Sequence, residues 1–251
     1  MSKNAIIVTN INFDHVFEHT LPYFERYSMK TGADLIVIDS KSIGVNNTTL
    51  YQRKGPKYEG DVGLIYPNLR FENLQAAKYF DTYERIFLVD CDVIIKPDCP
   101  DYFNSDPKNL YVSIVDLYSD YKLKTSIERI KSIKEQLGEI EGWEQSYFNS
   151  GVMMLSKMHS VLFEYDFEKL NNITGQTRIQ SFYNWNARKS NLSIVDMGPR
   201  FNFPSHRSVL NGVRREDAYI IHYTGPKQVG DLSYDTLIKD SKNYLAKKTI
   251  I

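Results

Sequence analysis

The sequence predicts an α/β protein with a Rossmann-like, mostly parallel central sheet flanked by helices. Short apolar runs such as Ala5-Ile6-Ile7-Val8-Thr9 and Leu35-Ile36-Val37-Ile38-Asp39 lack the alternation of half-exposed strands and read as strands buried on both faces. Between them Val16, Phe17, Phe24 and Tyr27 recur at roughly helical spacing, which makes the opening a β-α-β unit with parallel strands. The same alternation of strand and helix repeats downstream.

The first helix is expected to end at Gly32, with Pro22 imposing a kink or a late start. Residues 40–67 are polar, with Asn46-Asn47-Thr48-Thr49 and Lys54-Gly55-Pro56-Lys57, and read as a long surface loop. A helix is expected over Arg70–Tyr83, packing Phe71 and Leu74 on the sheet and leading into the strand Arg85–Val89. Leu110–Asp116 reads as a strand ending in an acid, and an amphipathic helix is expected around Ser126–Leu137. Gly151–Leu155, Leu192–Val195 and Ala218–His222 are the remaining strand-like runs. The lysines of the tail, Lys239, Lys242, Lys247 and Lys248, read as a solvated helix face. No repeat, low-complexity segment or Pro/Gly/Ser linker forces a boundary, so one domain is expected.

At 251 residues with 42% hydrophobic content, the chain can bury a full core. Lys plus Arg and Asp plus Glu both number 31, so no global field draws it to nucleic acid or an anionic membrane. No segment approaches about 18 consecutive apolar residues, so no transmembrane segment is expected. The N-terminal residues lead straight into an apolar strand without the pattern of a signal peptide, which makes the cytoplasm the expected compartment. Cys91 and Cys99 suggest neither a disulfide framework nor a zinc knuckle. Of the 18 Tyr and 13 Phe, most belong to the core, though rings can also serve as platforms for a sugar or base.

Asp90-Cys91-Asp92 stands between the apolar runs Ile86–Val89 and Val93–Ile95. In an extended strand Asp90 and Asp92 project to one side and Cys91 to the other, giving convergent carboxylates. If Arg85–Val89 is a parallel strand, the acids fall at its carboxyl end, where open α/β sheets bind ligands. The plain alternative is an acidic strand-to-turn junction in solvent. A second motif, Ile220-Ile221-His222-Tyr223-Thr224-Gly225-Pro226-Lys227, joins an imidazole, a glycine that lets backbone approach a phosphate, and a lysine point charge. Two Asp plus one His favour Mn²⁺ over Ca²⁺, with Mg²⁺ a substitute. Taken alone, His222 is more often a capped strand-end residue.

Residues 83–95 (ending Phe87-Leu88-Val89-Asp90-Cys91-Asp92-Val93-Ile94-Ile95), 148–155 (Phe148-Asn149-Ser150-Gly151-Val152-Met153-Met154-Leu155) and 221–227 resemble, in this order, the retaining glycosyltransferases of family 8. The resemblance spans Val8 to Lys227. It implies the GT-A fold, with a nucleotide-binding half over about 1–116 and a sugar and acceptor half over about 117–251. It implies Asp90, Asp92 and His222 as ligands of a Mn²⁺ that bridges the diphosphate of a nucleotide-sugar donor, a UDP-sugar in the expected case. It further implies that Gly225 and Lys227 hold that diphosphate, and that Thr9, Asn10 and Phe13 bind the nucleotide, Phe13 having packing under the first helix as its plain alternative. Asn149, Ser150, Gly151 and Gln180 would line the donor sugar, with Asn184 in the same segment. Arg70 corresponds to a basic residue that contacts the donor, with Lys78 as substitute. Asp116 corresponds to a position near sugar and acceptor, or is simply a strand end in solvent.

Two departures bear on function. Ile179 stands where the family has an Asp that binds sugar hydroxyls, and Lys227 follows Gly225 one residue earlier than the family pattern. The resemblance implies retention of configuration. Since Gln180 is a poor nucleophile, same-face attack is favoured over a covalent intermediate. The acceptor is undetermined among glycans, lipids, proteins and small molecules. Two alternatives stand beside this reading. A sugar nucleotidyltransferase would need a Gly-rich loop that Val8-Thr9-Asn10-Ile11-Asn12 does not supply. A non-catalytic nucleotide-sugar or glycan-binding protein would accord with Ile179 and the Lys227 spacing.

Overall fold

The computed structural model describes residues 3–11, 13–43, 67–114, 117, 120–172, 178–205, 207–223 and 234–246. The chain opens as expected with β1 (Asn4–Thr9), α1 (Asp14–Thr31) and β2 (Asp34–Ile38). Helix α1 starts at Asp14 and runs through Pro22, so the proline does not delay it. Gly32 ends it in the left-handed conformation, φ 66°, where a residue without Cβ pays no steric cost.

Pro67–Asp81 is a 3-10 helix, which delivers the chain to β3 (Arg85–Asp90) and, after a turn, β4 (Val93–Ile95). Then follow β5 (Asn109–Ile114), α2 (Asp120–Leu137), β6 (Phe148–Ser156), α3 (Phe167–Asn172), α4 (Arg178–Lys189) and β7 (Ser193–Asp196). Helix α2 begins six residues before the expected Ser126, and β6 three before Gly151. Short strands β8 (Phe203–Pro204), β9 (Val209–Leu210), β10 (Val213–Arg214) and β11 (Ile220–His222) precede α5 (Tyr234–Ala246).

The main sheet has the order β2-β1-β3-β6-β5-β7. β1 pairs parallel with β2 and β3, and β5 with β7, while β6 runs antiparallel to both of its neighbours. Five strands therefore point one way and the expected mostly parallel sheet is present. The reversal of β6 matters for function, because it brings that strand's first residues to the edge where β1, β3 and β5 end.

Alternate side chains of the central strands enter two cores. Ala5, Ile7, Ile86, Leu88, Met153 and Leu155 pack with residues of the 3-10 helix, α2 and α4 on one face. Ile6, Val8, Phe87, Val89, Val152 and Met154 pack under α1 on the other. Each such fully buried side chain contributes roughly 1.5–3 kcal/mol of transfer free energy, which explains runs that are apolar at every position. A smaller sheet, β4-β11-β8, shares a third core with α1 and α5. Among the described residues no helix is long and apolar enough to cross a membrane.

Candidate active site

The parallel register sets Thr9, the last residue of β1, opposite Asp90, the last residue of β3. Asp90 closes its strand, but Cys91 and Asp92 form a turn into β4. The two acids therefore converge through a turn, not through the pleat of one continuous strand as the sequence suggested. The turn is anchored on both sides. Thr20 of α1 donates its hydroxyl to the Cys91 carbonyl at 2.7 Å, and the Tyr223 amide donates to the Asp92 carbonyl at 2.9 Å. Cys91 points away into the apolar core, where burial, with Asp92 and Asp90 adding to it, pushes its thiol pKa well up. It stays a neutral thiol and is no ligand.

β11 pairs antiparallel with β4, His222 opposite Val93, and this brings the imidazole to the acids. His222 Nε2 lies 3.2 Å from Asp92 Oδ1 and 3.5 Å from Asp90 Oδ2. The ligand atoms of the three residues all lie within 4.8 Å of one another. The ring is only 3% exposed. Burial alone would lower its pKa, but Asp92 and Asp90 outweigh burial and push it up to about 10. Asp92 Oδ1 is buried, and no described donor meets it at hydrogen-bond geometry. A buried carboxylate oxygen whose one near partner among the described residues is an imidazole, with a second carboxylate beside it, is a donor set suited to a divalent cation. The residues present fit such an ion.

The opening of β6 supplies the neighbouring wall. Gly151 abuts the His222 ring, and a Cβ there would fall 2.1 Å from His222 Cε1. The register of β6 against β5 shifts between Tyr111 and Ser113, a bulge-like irregularity that leaves Asn149 opposite Ser113. Asn149 Oδ1 accepts from the Gly151 amide at 2.9 Å, and its Nδ2 donates to Gln180 Oε1 at 3.1 Å. The Ser150 amide also approaches Gln180 Oε1, at 3.4 Å. Gln180 and Asn184 sit one turn apart on α4. Asn184 holds both backbone groups of Phe148, accepting from its N–H at 2.8 Å and donating to its carbonyl at 2.9 Å, so α4 and β6 are locked in register.

Of the nucleotide-side residues, Asn10 is buried and donates to Asp14 Oδ1 at 2.7 Å, while its amide donates to the Ile38 carbonyl. The hydroxyl of Thr9 and Oδ1 of Asn10 are buried and meet no described partner. Phe13 is half-buried, packed against the α1 cores and stacked on His15. Arg70 lies in the 3-10 helix with its side chain outside the described residues, as are Asp116, Gly225 and Lys227 altogether. Most of the expected loop, residues 44–66, is outside them too. Lys78 is exposed and lies over the Tyr79 ring. Ile179 is packed into the main core with Phe182 and Tyr183, which explains how an apolar residue is accommodated there.

Sequence reasoning missed Asn202. It is 5% exposed, its Oδ1 lies 3.0 Å from His222 Nδ1, and its Nδ2 donates to Asn149 Oδ1 at 2.8 Å. A signal was present, since a lone amide stands between the aromatics Phe201 and Phe203, both fully buried. A polar residue amid such a run requires internal partners.

Residues 66–159 match the family described as Glycosyl transferase family 8. A comparison with curated proteins finds no match. Among solved structures, a glycosyltransferase involved in the glycosylation of the major capsid of PBCV-1 is 14% identical, covering 96% of this chain and 99% of that one with a TM-score of 0.59. The galactosyltransferase LgtC in complex with donor and acceptor sugar analogs is 16% identical, with coverages of 98% and 97% and a TM-score of 0.56. An active-site Gln-to-Glu mutant of LgtC is 15% identical, with the same coverages and TM-score. At these identities the likeness is one of fold, and the family match is what carries Asp90 and Asp92. The chain thus has the GT-A fold along almost its whole length, and its residues 66–159, which include the Asp90–Asp92 turn, match the model of Glycosyl transferase family 8.

Proposed function

We propose that this enzyme is a divalent-metal-dependent, retaining hexosyltransferase that uses a nucleotide-diphosphate sugar, specifically a UDP-sugar. The observation that carries the reading is the meeting of Asp90, Asp92 and His222 at the sheet edge where Asn149 and Gln180 also converge. The three ligands would hold Mn²⁺, with Mg²⁺ as a substitute, and a bound ion would stabilise the negative charge that develops on the leaving diphosphate. The LgtC structures, one in complex with donor and acceptor sugar analogs and one an active-site Gln-to-Glu mutant, agree in kind with this assignment.

The chain's own residues then divide the work. Thr9, Asn10 and Phe13 receive the nucleotide at the end of β1, and Arg70, Gly225 and Lys227 are assigned to its phosphates. Asn149, Ser150, Gly151 and Gln180 receive the sugar. Gln180 Oε1 already accepts from Asn149 and faces the Ser150 amide, and an uncharged carboxamide held in this way positions a sugar better than it attacks one. Same-face displacement follows, in which the departing phosphate takes the acceptor's proton, with Asp116 on the acceptor side. Because Ile179 faces the core, sugar hydroxyls are recognised by amides instead of by a carboxylate from that position. The nucleotide half is taken as about 1–116 and the sugar and acceptor half as about 117–251 of one domain. The acceptor is a hydroxyl compound of a class still to be identified, and the site is assigned to the cytoplasm.

Thermal-shift measurements over a panel of nucleotide sugars, with and without Mn²⁺, test the reading. One donor is expected to stabilise the protein only when metal is present; at 100 times its Kd it would add about 2.7 kcal/mol. Asp92→Asn should abolish metal-dependent turnover with the fold intact. Unchanged turnover in that variant would overturn the assignment.

A further inference from the structure

The hydrogen bonds behind the three candidate metal ligands form a chain whose polarity is dictated at one end. A backbone N–H can only donate, so the atom of Asn149 that faces the Gly151 amide at 2.9 Å must be its carbonyl oxygen. The other end of that amide, Nδ2, then faces Gln180 Oε1 at 3.1 Å, and the Ser150 amide, also an obligate donor, faces the same Oε1. Two independent backbone donors thus fix both side-chain amides. The assignment passes on to Asn202. Its group 2.8 Å from Asn149 Oδ1 must be the NH₂, which turns its oxygen toward His222 Nδ1 at 3.0 Å. An oxygen there requires a proton on Nδ1, and a neutral ring with its proton on Nδ1 has its lone pair on Nε2. Nε2 is the atom that faces Asp92 and Asp90.

We infer that Asn202 is a positioning residue that sets the tautomer and angle of His222 for metal binding, and that it does so through Asn149, a residue of the sugar wall. The inference rests on the metal-site reading of Asp90, Asp92 and His222. The arrangement is built to last. Asn202 and His222 are both nearly inaccessible, and Phe201 and Phe203 on either side of Asn202 are fully buried. β8, which begins one residue after Asn202, pairs in parallel with β11, Phe203 opposite Ile221 and Pro204 opposite His222. The Ser205 amide donates to the His222 carbonyl at 2.9 Å, so main chain and side chain of the histidine are held by one segment. The sugar wall and the metal ligand consequently share one polar network, and neither can turn without the other.

The test uses the full chain, Mn²⁺ as the probe and two variants. Asn202→Leu removes the acceptor and keeps the branched outline of the side chain; Asn202→Asp keeps an acceptor for Nδ1–H but cannot donate to Asn149. Free Mn²⁺ is followed by electron paramagnetic resonance. Asn202→Leu is expected to weaken Mn²⁺ binding by 10- to 100-fold, the usual consequence of losing the partner behind a histidine ligand. Asn202→Asp is expected to restore most of it. In parallel, ¹⁵N-histidine spectra of metal-free and Mg²⁺-loaded protein should show a slowly exchanging Nδ1 proton on His222 that Asn202→Leu loses. Wild-type affinity in Asn202→Leu, or a wild-type protein whose Nδ1 proton exchanges freely, would overturn the inference. Failure of the wild type to bind Mn²⁺ at all would count against the metal site itself, and the metal-free spectrum would still decide whether Asn202 holds the ring.

Discussion

Gly151 lies so close to the imidazole of His222 that a Cβ on its backbone would fall 2.1 Å from Cε1, 2.9 Å from Nδ1 and 2.8 Å from Asp90 Oδ2. None of these neighbours is free to retreat, since the ring is held by Asn202 and flanked by both acids. Gly151→Ala is therefore expected to cost about 1–3 kcal/mol in overpacking and to push the ring off its line to the carboxylates. Metal-dependent turnover should fall at least tenfold while circular dichroism is unchanged; full turnover in this variant would mean that the ring's placement is not needed. Gly32 makes the contrast. It has nothing within 4 Å of a built Cβ but sits at φ +66°. Gly32→Ala should cost about 1–2 kcal/mol of stability through left-handed strain and leave turnover per folded molecule as it was. Two glycines with two different reasons are separated by one pair of measurements.

At the scale of elements, β6 has a chemical beginning and a structural end. Its first residues, Asn149 to Gly151, line the site, and its last, Ser156, leads into the turn held by His159. The His159 ring is fully buried, and its Nδ1 accepts from the Ser156 amide at 2.8 Å. Burial, with the Arg85 guanidinium adding to it, lowers the His159 pKa to about 4 from an ordinary 6.5. The sign follows from proton counting. Between pH 6.5 and about 4 the unfolded chain binds a proton at this residue that the folded chain refuses. The stability associated with neutral His159 is thus complete above pH 6.5 and is lost as the pH falls toward 4. The loss amounts to about 2–3 kcal/mol. Urea unfolding at pH 7 and pH 4.5 should show a drop larger by about that amount in the wild type than in His159→Gln, whose side chain can still accept from Ser156 but does not titrate. Equal drops in the two proteins would show that this turn does not sense pH. The comparison between variants removes the carboxylates, which titrate in both.

For the whole molecule, what could be read in the sequence was what depends on short-range pattern. Ile6, Phe87 and Met154 announced buried strands, and Asp90 at the end of one of them announced a sheet-edge site. The direction of β6 was not legible, because an apolar run reads the same both ways and only its pairing with Leu88 and Val89 fixes the sense. The Asn202 contact was hidden for a similar reason, since His222 is 20 residues away and meets it through parallel pairing of two short strands. The docking of α5 is the longest-range case. Tyr23 of α1 donates its hydroxyl to the Ser241 carbonyl at 2.5 Å, across 218 positions. Asp240 of α5 accepts from the Tyr223 hydroxyl at 2.6 Å and from the Arg215 guanidinium, which also donates to Tyr223 at 2.9 Å. The Arg215 and Asp240 side chains are 22% and 14% exposed, so this cluster is shielded enough to count. Removing the carboxylate leaves a guanidinium and a phenol in a largely dry pocket, at a cost of about 3 kcal/mol. For a chain of this size each kcal/mol lowers Tm by about 2–4 °C, so Asp240→Ala should melt about 6–12 °C below the wild type. Turnover at 25 °C should nonetheless stay within about threefold, because His222 keeps its pairing with Val93, the Ser205 amide and Asn202 when α5 loosens. An Asp240→Ala protein with unchanged Tm but lost turnover would reverse this division and make α5 part of the chemistry instead of its support.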